Sequence, residues 1–211
     1  MSWGAGKTDP AERTAITCVV DPTNLNQVIL AEGYQISTRN TIFQTRILAE
    51  ATIFIALTIV LKDVLPPIYE LPQGGSVTVA GLVPLIWFSL RRGVKYGVFA
   101  GFTYGLIHAF LPGSFIIHPA QGLLDYPLAF AALGLAGISL KRNPIPGVAV
   151  GIVGRFLCSF LAGIIFFSNT ISLDSVWASA VYNGTYLIPE FVITSVVIFI
   201  LLRRRLLNIY I

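Results

Sequence analysis

Three ionisable side chains interrupt long apolar stretches of this sequence. Asp125 lies within LLDYPLAF, Arg155 lies within VGRFLCSF, and Glu190 directly follows Pro189. Because a membrane makes a charged group energetically expensive, ionisable residues in apolar segments mark substrate or ion sites by default. We therefore expect these residues to serve a binding site. A structural ion pair between Asp125 and Arg155 is the alternative interpretation.

Polar and aromatic residues surround Asp125 in the sequence. Gln121 precedes it by four residues, which places both on one helical face, and His118 lies one turn earlier. Tyr126 follows directly. Such a cluster at one end of an apolar bundle predicts a pocket for a small amphiphilic molecule. At Pro189, we expect a broken helix that exposes backbone groups beside Glu190 to a cavity.

Motifs for the common catalytic chemistries are absent from the sequence. It contains no HExxH, no CxxC and no other metal-ligand spacing, so we expect neither a metal nor a cofactor. It also contains no GxxxxGK[ST], so ATP hydrolysis by a P-loop in this chain is excluded. An enzyme is accordingly not the predicted class.

The composition indicates which elements must position these residues. Hydrophobic residues make up 55% of the 211 residues and charged residues only 11%. A soluble domain carries roughly 25% charged residues, so a soluble enzyme and a nucleic-acid binder are both excluded. The sequence predicts a polytopic protein in the lipid bilayer, with a polar N-terminal tail.

Six apolar segments are long enough, or nearly so, to be membrane-spanning helices. They cover residues 46–65, 76–90, 96–111, 122–140, 146–168 and 182–202. Lys and Arg flank these segments on alternate sides, whereas residues 66–75, 112–121 and 169–181 contain neither. Since cytoplasmic loops carry an excess of basic residues, the predicted fold is an all-α integral membrane protein with both termini cytoplasmic.

Small residues indicate where helices approach closely. Gly93, Gly97, Gly101 and Gly105 form one stripe on the third segment, and packing within the chain is the favoured interpretation. On the first segment, Thr52 and Ala56 form a weaker pair that would serve either an internal or a partner helix.

Four blocks of sequence carry a resemblance to a known family. These are GGSVTVAGLVPLIWFSLRRG (74–93), HPAQGLLDYPLAFAALGLAG (118–137), RFLCSFLAGIIFF (155–167) and YNGTYLIPEF (182–191). They resemble the ThiT/YuaJ family, the thiamine-specific S components of energy-coupling factor (ECF) transporters. The resemblance implies a six-helix S-component domain over residues 42–211, while the tail, residues 1–41, lies outside it.

The resemblance also implies a function and partners. An S component of the prokaryotic cell membrane would capture thiamine at the outer side. A transmembrane coupling subunit and two cytoplasmic ATPases would then drive uptake. By resemblance, the substrate-binding positions are Asp125, Tyr126, Asn183, Arg155, Tyr104 and Phe167, and the docking face for the coupling subunit carries Thr52 and Ala56.

The chemistry of thiamine agrees with these assignments. Its thiazolium ring carries a permanent positive charge, so a low-dielectric pocket must offer a carboxylate or aromatic faces. Asp125 supplies the charge, and Asn183 can both donate to and accept from an aminopyrimidine edge.

Two positions depart from the pattern of the family. Ser159 stands where a His is usual, and Ala178 stands where a Tyr is usual. Trp177 and Tyr182 are the neighbouring rings that would compensate. An S component for another thiamine-related or heterocyclic solute therefore remains an alternative, as does an ion-coupled secondary carrier in which Asp125, Arg155 and Glu190 relay protons.

Overall fold

A computed structural model describes residues 44–72, 74–139, 143–167 and 172–203. Two compact units divide the chain, Met1–Arg46 and Ile47–Ile211. The predicted tail and the basic residues 141–142 and 204–205 lie outside the described residues. The orientation of the termini stays a prediction.

Six helices make up most of the described structure. Helix α1 covers residues 44–59 and ends in a π-helical turn, Val60–Val64. A short antiparallel hairpin follows, with β1 (Tyr69–Glu70) paired to β2 (Ser76–Val77). The remaining helices are α2 (Val83–Arg92), α3 (Val94–His108), α4 (Pro119–Ile138), α5 (Ile145–Phe166) and α6 (Leu173–Arg203).

The predicted set of six helices is confirmed, although several boundaries differ. Helices α4, α5 and α6 are long and apolar enough to cross a membrane. Helix α2 begins at Val83 rather than at residue 76, because β2 occupies the start of the predicted segment. Its residues from Val83 to Leu90 are all buried, so α2 is a short helix in the centre of the fold.

The predicted break at Pro189 is wrong. Helix α6 runs without interruption from Leu173 to Arg203 and contains Pro189 in its interior. A proline removes one backbone donor, but transmembrane helices tolerate this loss when neighbouring groups satisfy the freed carbonyl. Glu190 therefore projects from an intact helix.

Glycines set the close approach of α3 to α4. A Cβ atom on Gly101 would collide with the backbone carbonyl of Phe130, and one on Gly105 would collide with that of Tyr126. On the facing helix, Gly134 lies equally close to the α3 backbone at Val98. The predicted packing within the chain is confirmed for Gly97, Gly101 and Gly105, whereas a Cβ atom on Gly93 would meet open space. The contacts of Gly101 and Gly105 fix α3 against the part of α4 that carries Asp125.

An ion-pair cluster joins the first half of α1 to the C-terminal end of α2. Glu50 on α1 lies 3.1 Å from a guanidinium nitrogen of Arg91 and accepts a hydrogen bond of 2.8 Å from Nε of Arg92. These contacts position α1 beside the buried helix α2, so the turn at the end of α1 reaches the site described next.

Candidate functional site

One cavity of about 320 Å³ lies between the helices. The π-helical turn after α1, the β-hairpin loop, α3, α4, α5 and α6 all contribute to it. The polar and charged side chains in its wall are Lys62, His108, Gln121, Asp125, Arg155, Ser159, Ser175, Ser179 and Asn183. The aromatic side chains are Phe115, Tyr126, Phe130, Phe167, Tyr182 and Tyr186. A concave wall that combines aromatic rings with convergent polar groups is typical of small-molecule sites.

A π-helical segment in α4 presents Asp125 to this cavity. The segment covers Leu124–Leu128 and contains Pro127, which cannot donate the regular backbone hydrogen bond. Single π-helical turns of this kind occur frequently at functional sites. The Asp125 carboxylate accepts a hydrogen bond of 2.6 Å from the Gln121 amide.

A second buried carboxylate lies deeper, among cations. Glu190 is 3.0 Å from Nζ of Lys62 and 3.4 Å from a guanidinium nitrogen of Arg155, and it also accepts a hydrogen bond from Thr78. The Arg155 guanidinium stands over the Phe130 ring, 4.3 Å from its centroid. Both are favourable environments for a buried guanidinium.

This network decides the question of a structural ion pair between Asp125 and Arg155. The carboxylate that pairs with Arg155 belongs to Glu190. Among the described residues, Asp125 forms no ion pair, and its hydrogen-bond partner Gln121 is neutral. Arg155 lines the same cavity but is paired with Glu190, so the Asp125 carboxylate can receive a cationic ligand.

Hydrogen bonds from two tyrosines hold loops at the more exposed end of the cavity. The Tyr126 hydroxyl accepts a hydrogen bond of 2.6 Å from the backbone N–H of Phe115, whose ring faces Phe167 at 5.9 Å. The Tyr182 hydroxyl donates to the carbonyl of Pro72 at 2.6 Å and accepts from the N–H of Gly75. These tyrosines thus position the loops while their rings line the cavity.

The structure brings eight of the eleven predicted substrate-binding residues to the cavity: Asp125, Tyr126, Asn183, Arg155, Phe167, Gln121, Ser159 and Tyr182. Three others lie elsewhere. Tyr104 is fully buried and donates a hydrogen bond of 3.0 Å to Asp63. His118 accepts from the N–H of Ala120 and so caps the start of α4. Trp177 is 69% exposed on the outer face of α6, so it cannot replace the missing ring at position 178.

Asn183 lines the cavity, but its amide already has partners in the protein. The nitrogen donates to the carbonyl of Ser179 at 2.9 Å, and the oxygen accepts from the Tyr186 hydroxyl at 2.9 Å. Its remaining hydrogen-bonding capacity for a ligand is therefore smaller than the sequence suggested.

Sequence reasoning missed several residues of the wall, above all Lys62, His108, Phe130 and Tyr186. Lys62 is a charge within an apolar stretch and carried the same signal as Arg155. His108 has an equally visible residue type, but as an isolated histidine at a helix end it is more often a packing residue. Phe130 and Tyr186 carry no signal that separates them from other apolar helix residues.

The predicted docking residues lie on the exposed face of α1. Thr52 and Ala56 are both exposed, and the Thr52 hydroxyl donates to the carbonyl of Leu48 within its own helix. This leaves small apolar groups facing outward.

Among the described residues, no group of three His, Cys, Asp or Glu side chains could hold a metal ion.

Comparison with known proteins gives a consistent result. Residues 48–209 match the family model described as "Thiamine transporter protein (Thia_YuaJ)". The thiamine transporter ThiT of Bacillus subtilis is 32% identical over 171 residues, which cover 73% of this chain and 88% of that protein. ThiT of Lacticaseibacillus paracasei is 28% identical over 142 residues, covering 58% of this chain and 71% of the relative.

A solved structure is also similar. ThiT from Listeria monocytogenes superposes with a TM-score of 0.65 at 25% sequence identity. The match covers 76% of this chain and 95% of that structure.

Proposed function

This chain belongs to the Thia_YuaJ family of thiamine transporter proteins, and on that premise we propose that it is the substrate-binding S component of an ECF transporter. In this proposal the chain captures thiamine at the outer side of a prokaryotic cell membrane, which it crosses several times. Partner subunits supply the energy by hydrolysing ATP, and the chain itself is not an enzyme.

The observation that carries the proposal is the difference between the Asp125 carboxylate, which lines the cavity, and the Glu190 carboxylate, which is buried beside the wall residues Lys62 and Arg155. Glu190 is neutralised by Lys62 and Arg155, whereas Asp125 has only neutral hydrogen-bond donors among the described residues. An unpaired buried carboxylate is costly unless a cation reaches it. The thiazolium ring of thiamine carries its positive charge on a quaternary nitrogen, so it can neutralise Asp125 without a proton transfer.

The remaining wall suits the other parts of this ligand. The rings of Tyr126 on α4 and Tyr186 on α6 line the cavity and can pack against a flat heterocycle. The Ser159 hydroxyl can donate or accept, whereas the Ser179 hydroxyl already donates to the carbonyl of Phe160 at 2.9 Å and can only accept. Since the cavity is at the small end of ligand-binding pockets, it fits a vitamin-sized molecule.

The exposed face of α1 supports the proposed coupling subunit. A transmembrane coupling subunit would pack a helix against Thr52 and Ala56, because small side chains allow close approach in a membrane. Two cytoplasmic ATPases would act through that subunit. With both termini in the cytoplasm, the loop that ends at residue 75 would lie on the outer side, where the substrate arrives.

Thiamine titration of the purified protein and its Asp125→Asn variant tests the proposal. Asparagine keeps the size of the side chain but removes its charge, and a hydrogen bond to a charged group is worth about 1.5–3 kcal/mol. We expect thiamine affinity to fall by about tenfold to a hundredfold or more. Asp174→Asn is the matched control, since Asp174 is an exposed acid at the start of α6 outside the cavity wall.

Two results would contradict the proposal. Unchanged thiamine affinity in a folded Asp125→Asn protein would exclude Asp125 as the counter-ion. A different molecule found by mass spectrometry on the purified protein would support the alternative of another thiamine-related or heterocyclic solute.

The buried network of Lys62, Glu190 and Arg155 is the observation that favours an ion-coupled carrier as the second candidate. Thiamine uptake into proteoliposomes that contain only this chain, without coupling subunits or nucleotide, would establish the carrier. Uptake that requires both would establish the S component.

A further inference from the structure

We propose that His108 is a substrate-recognition residue of this cavity, whose Nε2 atom accepts a hydrogen bond from the exocyclic amine of an aminopyrimidine ligand. The proposal rests on the proposed function, in which the ligand is thiamine. It assigns a recognition role to a histidine that the sequence marks only as a packing residue.

Two hydrogen-bonding groups fix one side of the His108 ring. Nδ1 lies 2.8 Å from a carboxylate oxygen of Asp63, which stands on the π-helical turn after α1. Asp63 also accepts a hydrogen bond of 3.0 Å from the Tyr104 hydroxyl, and that hydroxyl lies 3.5 Å from Nδ1. Tyr104 on α3 thus holds the Asp63 carboxylate in place, and that carboxylate orients the imidazole of His108.

The contact with Asp63 determines which nitrogen of the neutral ring carries the proton. An ionised carboxylate can only accept hydrogen bonds, so Nδ1 must be the donor. In the neutral imidazole, Nε2 is then an acceptor. Among the described residues Nε2 has no hydrogen-bond partner, and it is not sealed from solvent, while the ring as a whole lines the cavity.

Aromatic neighbours hold the plane of the ring. Tyr104 stacks on His108 with ring centroids 5.6 Å apart, Phe130 meets it edge-on at 5.3 Å, and Tyr126 lies at 5.4 Å. The imidazole therefore has little freedom to rotate, so its acceptor is preorganised. Such preorganisation favours recognition because less side-chain entropy is lost on binding.

The position of His108 complements that of Asp125. The Tyr126 ring lies 5.4 Å from that of His108, and Asp125, Tyr126 and His108 all line the same cavity. Thiamine presents a cationic thiazolium and, across a methylene bridge, an aminopyrimidine whose amine needs an acceptor. The amide oxygen of Asn183 already accepts from Tyr186, whereas no described residue forms a hydrogen bond with Nε2 of His108.

A pair of substitutions separates recognition from structure. In His108→Asn, the amide nitrogen can replace Nδ1 and keep the contact with Asp63, but nothing replaces Nε2. In His108→Gln, the amide can reach the position of Nε2 while the donor to Asp63 is lost. Each variant is titrated with thiamine and with oxythiamine, which carries an oxo group in place of the exocyclic amine and so offers no donor there.

We expect the unaltered protein to prefer thiamine to oxythiamine. In His108→Asn, thiamine affinity should fall by about tenfold to a hundredfold, with little change for oxythiamine, because a ligand amine is left without an acceptor. His108→Gln should retain the preference. A preference unchanged in His108→Asn would overturn the proposal, and a purely structural histidine would weaken both ligands equally.

The design keeps the inference separate from the proposed function. If His108→Asn does not fold, His108→Leu decides in its place: a lost preference for thiamine supports the proposal, and a retained preference overturns it. Failure of the unaltered protein to bind thiamine would refute the proposed function itself. Normal thiamine binding with no role for Nε2 would refute only the assignment of His108.

Discussion

Removal of the charge on Glu190 should destabilise the fold more than removal of the charge on Lys62. The side chain of Glu190 is 2% exposed and lies between Lys62 and Arg155, at 3.0 Å and 3.4 Å. In Glu190→Gln the shape is kept, but two buried cations remain without a counter-charge. The perturbation is therefore electrostatic rather than one of packing.

The magnitude follows from the burial of the network. Breaking a buried ion pair by removing one partner costs about 3–5 kcal/mol, because the remaining charge stays desolvated and uncompensated. Lys62→Met is the matched control. This substitution leaves Glu190 paired with Arg155, and the Arg155 guanidinium still stands 4.3 Å from the centroid of the Phe130 ring. Lys62→Met should therefore lower the free energy of unfolding by clearly less than Glu190→Gln does. The double variant Lys62→Met, Glu190→Gln should recover part of the stability lost in Glu190→Gln.

Unfolding by sodium dodecyl sulfate in mixed micelles measures these differences. Trp87 is buried in α2 and reports unfolding through its fluorescence. Equal free energies of unfolding for Glu190→Gln and the unaltered protein would refute the reasoning. A Lys62→Met variant as destabilised as Glu190→Gln would also refute the reasoning. Loss of the carboxylate that compensates two cations would then cost no more than loss of one of those cations.

Two further predictions concern the membrane and the partner. Ala56→Trp should leave thiamine affinity unchanged but abolish uptake in cells that contain the coupling subunits, since a bulky ring prevents close helix approach; normal uptake would place the docking face elsewhere. In a background without the native cysteines, Ser175→Cys should react with an impermeant thiol reagent in intact cells, and Asn143→Cys should react only after permeabilisation. The reverse pattern would invert the topology.

The number of helices and the membrane class could be predicted from sequence because both depend on local properties. A sufficiently long run of apolar residues indicates a membrane span, whatever its tertiary contacts are. Turns and basic residues mark where one span ends and the next begins. Helix boundaries were harder to predict where a segment could form either a helix or a strand. At residues 76–82 the sequence is apolar enough for a helix, but Ser76 and Val77 pair with the preceding strand instead.

Candidate site residues could be predicted where they lie close together in the chain. Gln121, Asp125 and Tyr126 share one short stretch of α4, so their helical spacing places them near one another, and they line one cavity. Tyr104 and Trp177 could not be placed in the same way. Neighbouring residues on a helix point in directions about 100° apart, and the rotation of each helix is set only by packing.

The sequence by itself determined an apolar six-helix chain with a carboxylate at position 125 and rings beside it. Only the tertiary structure decided which charges meet. Lys62 and Glu190 are 128 residues apart, and their contact depends on how α1 and α6 are positioned around the buried helix α2. Glu190 is paired with both Lys62 and Arg155, so the carboxylate left for a cationic ligand is that of Asp125.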